Sequence, residues 1–244
     1  MKTRQKVRRV VAIAAAALFP ITLYYFSPLL SLEGLASGIL TGSLAMFGLL
    51  FLSSLFLGRA FCAWVCPAGA VQEVVRGFKG RAVNRLRIRW IKWVIWAPWV
   101  LALVLMAVRA GGVHAVDLTR MTWNGISVTD MPGLIALVSV AGLVAVLALA
   151  VGRRAGCHTI CWMAPFMVLG GKLRNLFGWP SLRLAADPGA CRDCGACSKS
   201  CPMSIDVNAM VKAGDLRSSD CILCASCADG CPRNVIRLAF RSGH

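Results

Sequence analysis

The chain has 244 residues, 58% of them hydrophobic and only 15% charged, with 27 Lys and Arg against 10 Asp and Glu, and 12 cysteines. That apolar share, with a mean hydropathy of +0.69, excludes an ordinary soluble domain. The formal charge of +17 invites a nucleic-acid reading, but no recognised binding motif accompanies it, and its distribution points to a membrane surface instead.

Four apolar stretches, Val10–Leu30, Leu35–Leu57, Ile91–Val108 and Pro132–Val151, are each near the ~20 residues that cross a bilayer as a helix. The first follows the basic start MKTRQKVRR. It runs too long for a signal-peptide core and ends in no clean small-residue cleavage site, which predicts a retained helix. The second carries Gly34, Gly38 and Gly42 at steps of four, a face for close helix packing. Directly after it comes RAFCAWVCPAG (59–69), then the basic amphipathic segment AVQEVVRGFKGRAVNRL, expected to lie on the membrane surface.

The third stretch opens with Trp90, Trp93, Trp96 and Trp99, an interfacial belt for anchoring and packing. The loop beyond it holds Arg109, His114, Asp117, Arg120 and Trp123. A His–Asp pair is one candidate for taking protons from a quinol; a site at the opposite rim is the other, and such residues also simply solvate a short loop. After the fourth stretch, RAGCHTICWMAP (154–165) repeats the R-A-x-C-x-x-x-C pattern 95 residues after the first copy, and a second basic segment follows. His158, inside this copy, is expected at the surface or as a helix cap.

Lys and Arg set the orientation. Five precede the first stretch, eight lie between Arg59 and Lys92, two in 109–131 and twelve after Val151. The positive-inside rule then puts both termini and the 58–92 loop in the cytoplasm of a multi-pass inner-membrane protein. The expected fold is an α-helical membrane domain (1–177) of four transmembrane helices, arranged as two parallel-repeat hairpins (about 10–86 and about 91–177). A linker (178–190) with two prolines and two glycines leads to a cytoplasmic α+β domain (191–244).

That last domain carries CRDCGACSKSCP (191–202) and CILCASCADGCP (221–232). Both fit C-x-x-C-x-x-C-x-x-x-C-P, the run of bacterial two-cluster ferredoxins, in which the fourth cysteine ligates the other cluster. The spacing assigns Cys191, Cys194, Cys197 and Cys231 to one 4Fe–4S centre and Cys221, Cys224, Cys227 and Cys201 to the second. Zinc usually shows paired C-x-x-C knuckles, and disulfides are disfavoured on the cytoplasmic side.

Four cysteines remain at the rim: Cys62, Cys66, Cys157 and Cys161. Each C-x-x-x-C pair puts two thiols on one helix face, and two pairs meeting across a pseudo-twofold axis supply the four thiolates of a third iron–sulfur cluster. Dithiol–disulfide cycling and simple burial of small side chains are the competing readings.

Paired rim motifs followed by an eight-cysteine ferredoxin domain resemble the NapH-type membrane ferredoxins, quinol dehydrogenase subunits associated with periplasmic nitrate reduction. The same module resembles parts of NosR-type and CcoG-type proteins. Cys62, Cys66 and Pro67 match the first motif; Cys157 and Cys161 match the second, where Trp162 replaces the proline. The resemblance implies a membrane-anchored subunit passing electrons between (mena)quinone and a partner redox protein. The alternative is an accessory protein of metal-cofactor assembly or redox sensing. No dinucleotide fingerprint, haem-attachment motif or nucleophile–base pair is present, so conduction by the clusters is the simplest function.

Overall fold

The computed structural model describes residues 2–75, 82–83 and 88–242. The protein is mostly helical, with two short two-stranded sheets. Two helices, α7 (Ile91–Arg109) and α8 (Met131–Ala150), are each long and apolar enough to cross a membrane.

The other two expected spans are interrupted. In the first, α1 (Thr3–Ala17) stops at Leu18. The chain then continues as α2 (Phe19–Thr22) and a 3-10 turn (Leu23–Phe26), bent 58° away. Counted as one broken span, this pair makes a third crossing. Pro20 falls in the first turn of α2, where its missing N–H is no loss. The break leaves backbone groups that lipid cannot satisfy. The loop before α8 satisfies them: Ser127 Oγ donates to Ile21 O at 2.7 Å, and Val128 N–H donates to Pro20 O at 3.0 Å.

The second stretch divides into α3 (Pro28–Ala36), β1 (Ile39–Thr41) and α4 (Gly42–Leu57). Gly38, at φ +67°, takes the left-handed conformation that ends a helix. The three glycines therefore do not share one helix face. A Cβ at Gly34 would lie 2.3 Å from Thr41 Cγ2, and one at Gly42 would lie 2.3 Å from Leu118 O. They admit a tight corner, where β1 pairs in parallel with β2 (Ala115–Asp117). From there the 16 residues of α4 reach about 24 Å toward the rim.

At the rim the first motif forms α5 (Ala60–Trp64) and α6 (Pro67–Val75), and the second forms α9 (Ala155–His158) and α10 (Met163–Phe177). Much of the basic segment after Cys66 falls at 76–81 and 84–87, outside the described residues. α10 is no surface helix along its whole length. It packs on α4 so closely that a Cβ at Gly170 would sit 1.9 Å from Ser54 Oγ. Phe166 of α10 stacks on Phe47 and meets Trp96 and Trp99 edge-on, so most of the tryptophan belt serves packing while Trp90 remains 57% exposed.

Residues 178–190, expected as a linker, instead contain β3 (Ser181–Ala186), which pairs antiparallel with β4 (Ile236–Arg241). The strand alternates buried and half-buried side chains, the period-2 pattern of a half-buried strand. Between the strands lie α11 (Ala196–Ser200), α12 (Val207–Lys212) and α13 (Ser226–Asp229). Several polar contacts tie this small domain to the membrane helices. Arg4 pairs with Asp229 at 2.6 Å, with Gln5 donating to Cys224 O at 2.9 Å. Lys92, at the start of α7, pairs with buried Asp220 at 3.3 Å.

Candidate metal centres

The two ferredoxin runs adopt one conformation twice. In the first, Asp193 and Gly195 have φ of +57° and +67°; in the second, Leu223 and Ala225 have +51° and +60°. Two residues after each Cys-Pro, Ser204 and Asn234 do the same, at +54° and +52°. Each left-handed non-glycine residue costs about 1–2 kcal/mol, and the cost is met at matching positions. The reversals curl the loop so that two cysteines of the loop and one in the first turn of a short helix, α11 or α13, face one hollow.

Two cavities result. One, of about 140 Å³, is lined by Cys191, Cys194, Cys197 and Cys231, closed by Val211, Val235 and Ile236. The other is lined by Cys201, Cys221, Cys224 and Cys227, closed by Met203, Ile205 and Ile222. Among the described residues, no three Cys, His, Asp or Glu side chains converge closely enough for a single metal ion. Four cysteines lining each hollow are the donor set of a 4Fe–4S cube. None of the twelve cysteines is joined in a disulfide.

The rim cysteines also gather. Cys62, Cys66 and Cys157 are buried in one core cluster, with Cys161 packed against it. Gln72, 1% exposed, joins the two repeats: its Nε2 donates to Cys157 Sγ at 3.2 Å, and its Oε1 accepts from Gly156 N at 3.0 Å. Burial pushes the Cys161 and Cys221 thiols up to about 12. Thiolates there need a metal or a nearby cation to persist.

Two such cations are built in. Arg59 and Arg154 open the two R-A-x-C copies and are 3% and 1% exposed. Burial opposes both charges, yet both pKa values are raised: Cys62 and Cys161 act on Arg59, and Cys157 and Glu73 act on Arg154. Each arginine also reaches the ferredoxin domain. Arg59 Nη1 donates to Ser219 O at 2.9 Å and its charge acts on Cys221, while Arg154 is coupled to Cys224. Arg154 Nη1 crosses to the first motif, donating to Cys62 O at 2.7 Å, and Nη2 donates to Glu73 at 2.8 Å. Arg59 thus links the first rim motif to the loop that leads into Cys221, and Arg154 links the two rim motifs.

A third cavity, of about 280 Å³ and almost wholly apolar, opens on Cys66, Cys157 and Cys161. Its walls come from the broken first span (Phe19, Leu23, Tyr24) and from α8 (Ala136, Val140, Val144), with Gln72 at its edge.

The loop 109–131 is not assembled into a comparable site. His114 Nε2 lies 2.7 Å from Ala110 O, Asp117 accepts from Thr119 N at 3.1 Å, and Arg120 pairs with Glu33 at 3.3 Å. His158 is fully buried, not at the surface, because α9 turns into the core. Sequence reading missed Gln72, Glu73 and the buried state of both arginines. One signal was present: Glu73 is the lone acid amid eight cations between Arg59 and Lys92.

Comparison with known proteins agrees with this arrangement. A family model for a 4Fe–4S binding domain matches residues 39–85 and again 132–180. A second, for a 4Fe–4S dicluster domain, matches 183–235. The ferredoxin-type protein NapH of Escherichia coli is 28% identical over 88% of this chain and 74% of its own length. The methylamine utilization ferredoxin-type protein MauN of Methylorubrum extorquens gives the same figures. YccM of Escherichia coli, named as a candidate electron transport protein, is 25% identical over 73% of this chain and 50% of its own length. The chain spans about half to three quarters of the length of these relatives. No solved structure matches it.

Proposed function

We propose, for a chain that belongs to the NapH-like family of 4Fe–4S polyferredoxins, that it conducts electrons between a quinone in the membrane and a redox partner at its ferredoxin domain. The observation that carries this reading is the apolar cavity opening on three rim cysteines, beside a first motif whose Arg59 donates to Ser219 O, two residues before Cys221.

In this reading Cys191, Cys194, Cys197 and Cys231 hold one cluster, Cys201, Cys221, Cys224 and Cys227 a second, and Cys62, Cys66, Cys157 and Cys161 a third. Bound clusters supply one-electron transfer, with potentials set by charge, burial and hydrogen bonds to sulfur. The chain's own residues supply the rest. Gln72 hydrogen-bonds Cys157 Sγ and fixes the second motif against the first. Arg59 and Arg154 offset thiolate charge between the two groups. The cavity walls exclude water from a quinone ring, and Tyr24 offers it a polar atom at the edge. The distribution of Lys and Arg supports a cytoplasmic ferredoxin domain on the inner membrane.

Iron and acid-labile sulfide per chain, with EPR of the reduced, anaerobically purified protein, test the reading. About twelve irons are expected, falling to about eight in Cys62→Ser/Cys157→Ser and in Cys194→Ala alike, with different EPR signals lost. About eight irons in the unaltered protein refute the rim cluster. Unaltered electron flow in Cys194→Ala refutes conduction through the ferredoxin domain.

A further inference from the structure

A cavity of about 410 Å³ lies away from the apolar one, at the junction of the membrane helices and the ferredoxin domain. Its walls are the end of α4 at Gly58, the second half of α10, the β3–β4 sheet and the loop 214–221. Six cations line it: Arg59, Lys172, Arg174, Arg183, Arg217 and Arg241. The single acid in the wall, Asp215, is already engaged by Arg217 through bonds of 2.9 and 3.0 Å. Arg59 faces the cysteines, and the other five cations against one carboxylate leave a surplus of four positive charges around one hollow.

The more buried cations are held there by neutral groups. Arg183, 6% exposed, donates to Ser181 Oγ at 3.0 Å and to Asn175 Oδ1 at 2.7 Å. Arg174 donates through Nη1 to Leu182 O at 3.1 Å, while its buried Nε has no partner. Burial lowers the pKa of both, and each is lowered further by arginine charge, Arg183 acting on Arg174 and Arg217 and Arg241 acting on Arg183. Concentrating like charges in a partly buried site is costly unless an anion enters. The surroundings indicate which kind. Leu176 and Phe177, at the end of the same helix, are 78% and 62% exposed. Phe177 and Phe56 both stack on Trp179. A basic hollow beside exposed apolar and aromatic side chains, where an apolar helix ends, is the setting of a lipid headgroup.

We propose that this cavity binds the phosphate of an anionic phospholipid, which fills the gap between α10 and the 214–221 loop and so locks the ferredoxin domain onto the membrane helices. Because the loop leads directly into Cys221 and the cavity wall includes it, occupancy bears on the electron path, but the site does not depend on whether the rim cysteines hold a cluster.

The test uses the full chain in nanodiscs of neutral phosphatidylcholine, with and without phosphatidylglycerol, read by native mass spectrometry for retained lipid and by thermal unfolding. One phosphatidylglycerol should remain bound and raise the midpoint. Arg174→Gln/Arg241→Gln should weaken retention about thirtyfold, from two lost cations, while Lys6→Gln/Arg237→Gln, an equal loss on exposed positions outside the cavity, should not. If the first pair fails to fold, the exposed Lys172→Gln/Arg241→Gln pair gives the same comparison. Equal retention in cavity and control variants overturns the proposal. So does inorganic phosphate, in neutral discs, raising the midpoint as far as phosphatidylglycerol does, since the site would then take a free anion.

Discussion

Replacing Glu73 with Gln should destabilise the protein severely, although the residue sits outside every cysteine motif. Its carboxylate lies between two buried arginines, one from α1 and one from the second cysteine motif. Arg8 of α1 donates through Nη1 at 2.7 Å and through Nη2 to the other oxygen, and Arg154 donates through Nη2 at 2.8 Å. Burial alone would raise the carboxyl, but the Arg8 hydrogen bonds and the charges of Arg154 and Arg8 outweigh it and bring it down to about 2. Against an unfolded value of about 4.3, that is worth about 3 kcal/mol. The stabilisation is complete above the unfolded value and is lost as the pH falls through about 4 toward about 2. Gln removes the charge and strands two guanidiniums that are 2% and 1% exposed, a break of a buried ion pair that costs about 3–5 kcal/mol. Denaturation in detergent, followed by tryptophan fluorescence, should show a loss of this size at neutral pH. The gap between the two proteins should narrow as the medium is acidified, because protonated Glu73 resembles Gln. A loss under about 1 kcal/mol, or a gap indifferent to acid, refutes the reasoning.

Two further outcomes follow from particular contacts. Gly170→Ala should cost about 1–3 kcal/mol, since the added Cβ meets Ser54 Oγ and Phe51 O on the packed face of α4; a denaturation midpoint matching the wild type would contradict the α4–α10 packing. Ala136→Trp should fill the apolar cavity from α8, abolishing electron exchange with an added quinol analogue while leaving iron content unchanged. Normal exchange in that variant would move the quinone site elsewhere.

The cysteine spacing alone carried the ferredoxin assignment, because ligand geometry is local: three thiols within seven residues and a fourth before a proline specify a loop whatever surrounds it. Hydropathy likewise made α7 and α8 legible, since a helix in lipid satisfies its own backbone. It misread Val10–Leu30 and Leu35–Leu57 as unbroken spans. Pro20 and Gly38 were visible in the sequence, but whether the chain breaks there depends on partners more than 70 residues away: Ser127 and Val128 for the first break, β2 for the second. The strand at 181–186 was hidden for the same reason, being paired with 236–241 at the far end of the domain. The rim shows the division most plainly. Two copies of R-A-x-C-x-x-x-C announce a repeat, but only tertiary packing buries Arg59 and Arg154 beside both groups of cysteines, seats Glu73 between Arg8 and Arg154, and places Gln72 on a sulfur 85 residues away. Charge pairing across a fold is long-range, and no local pattern encodes which cation an acid will meet.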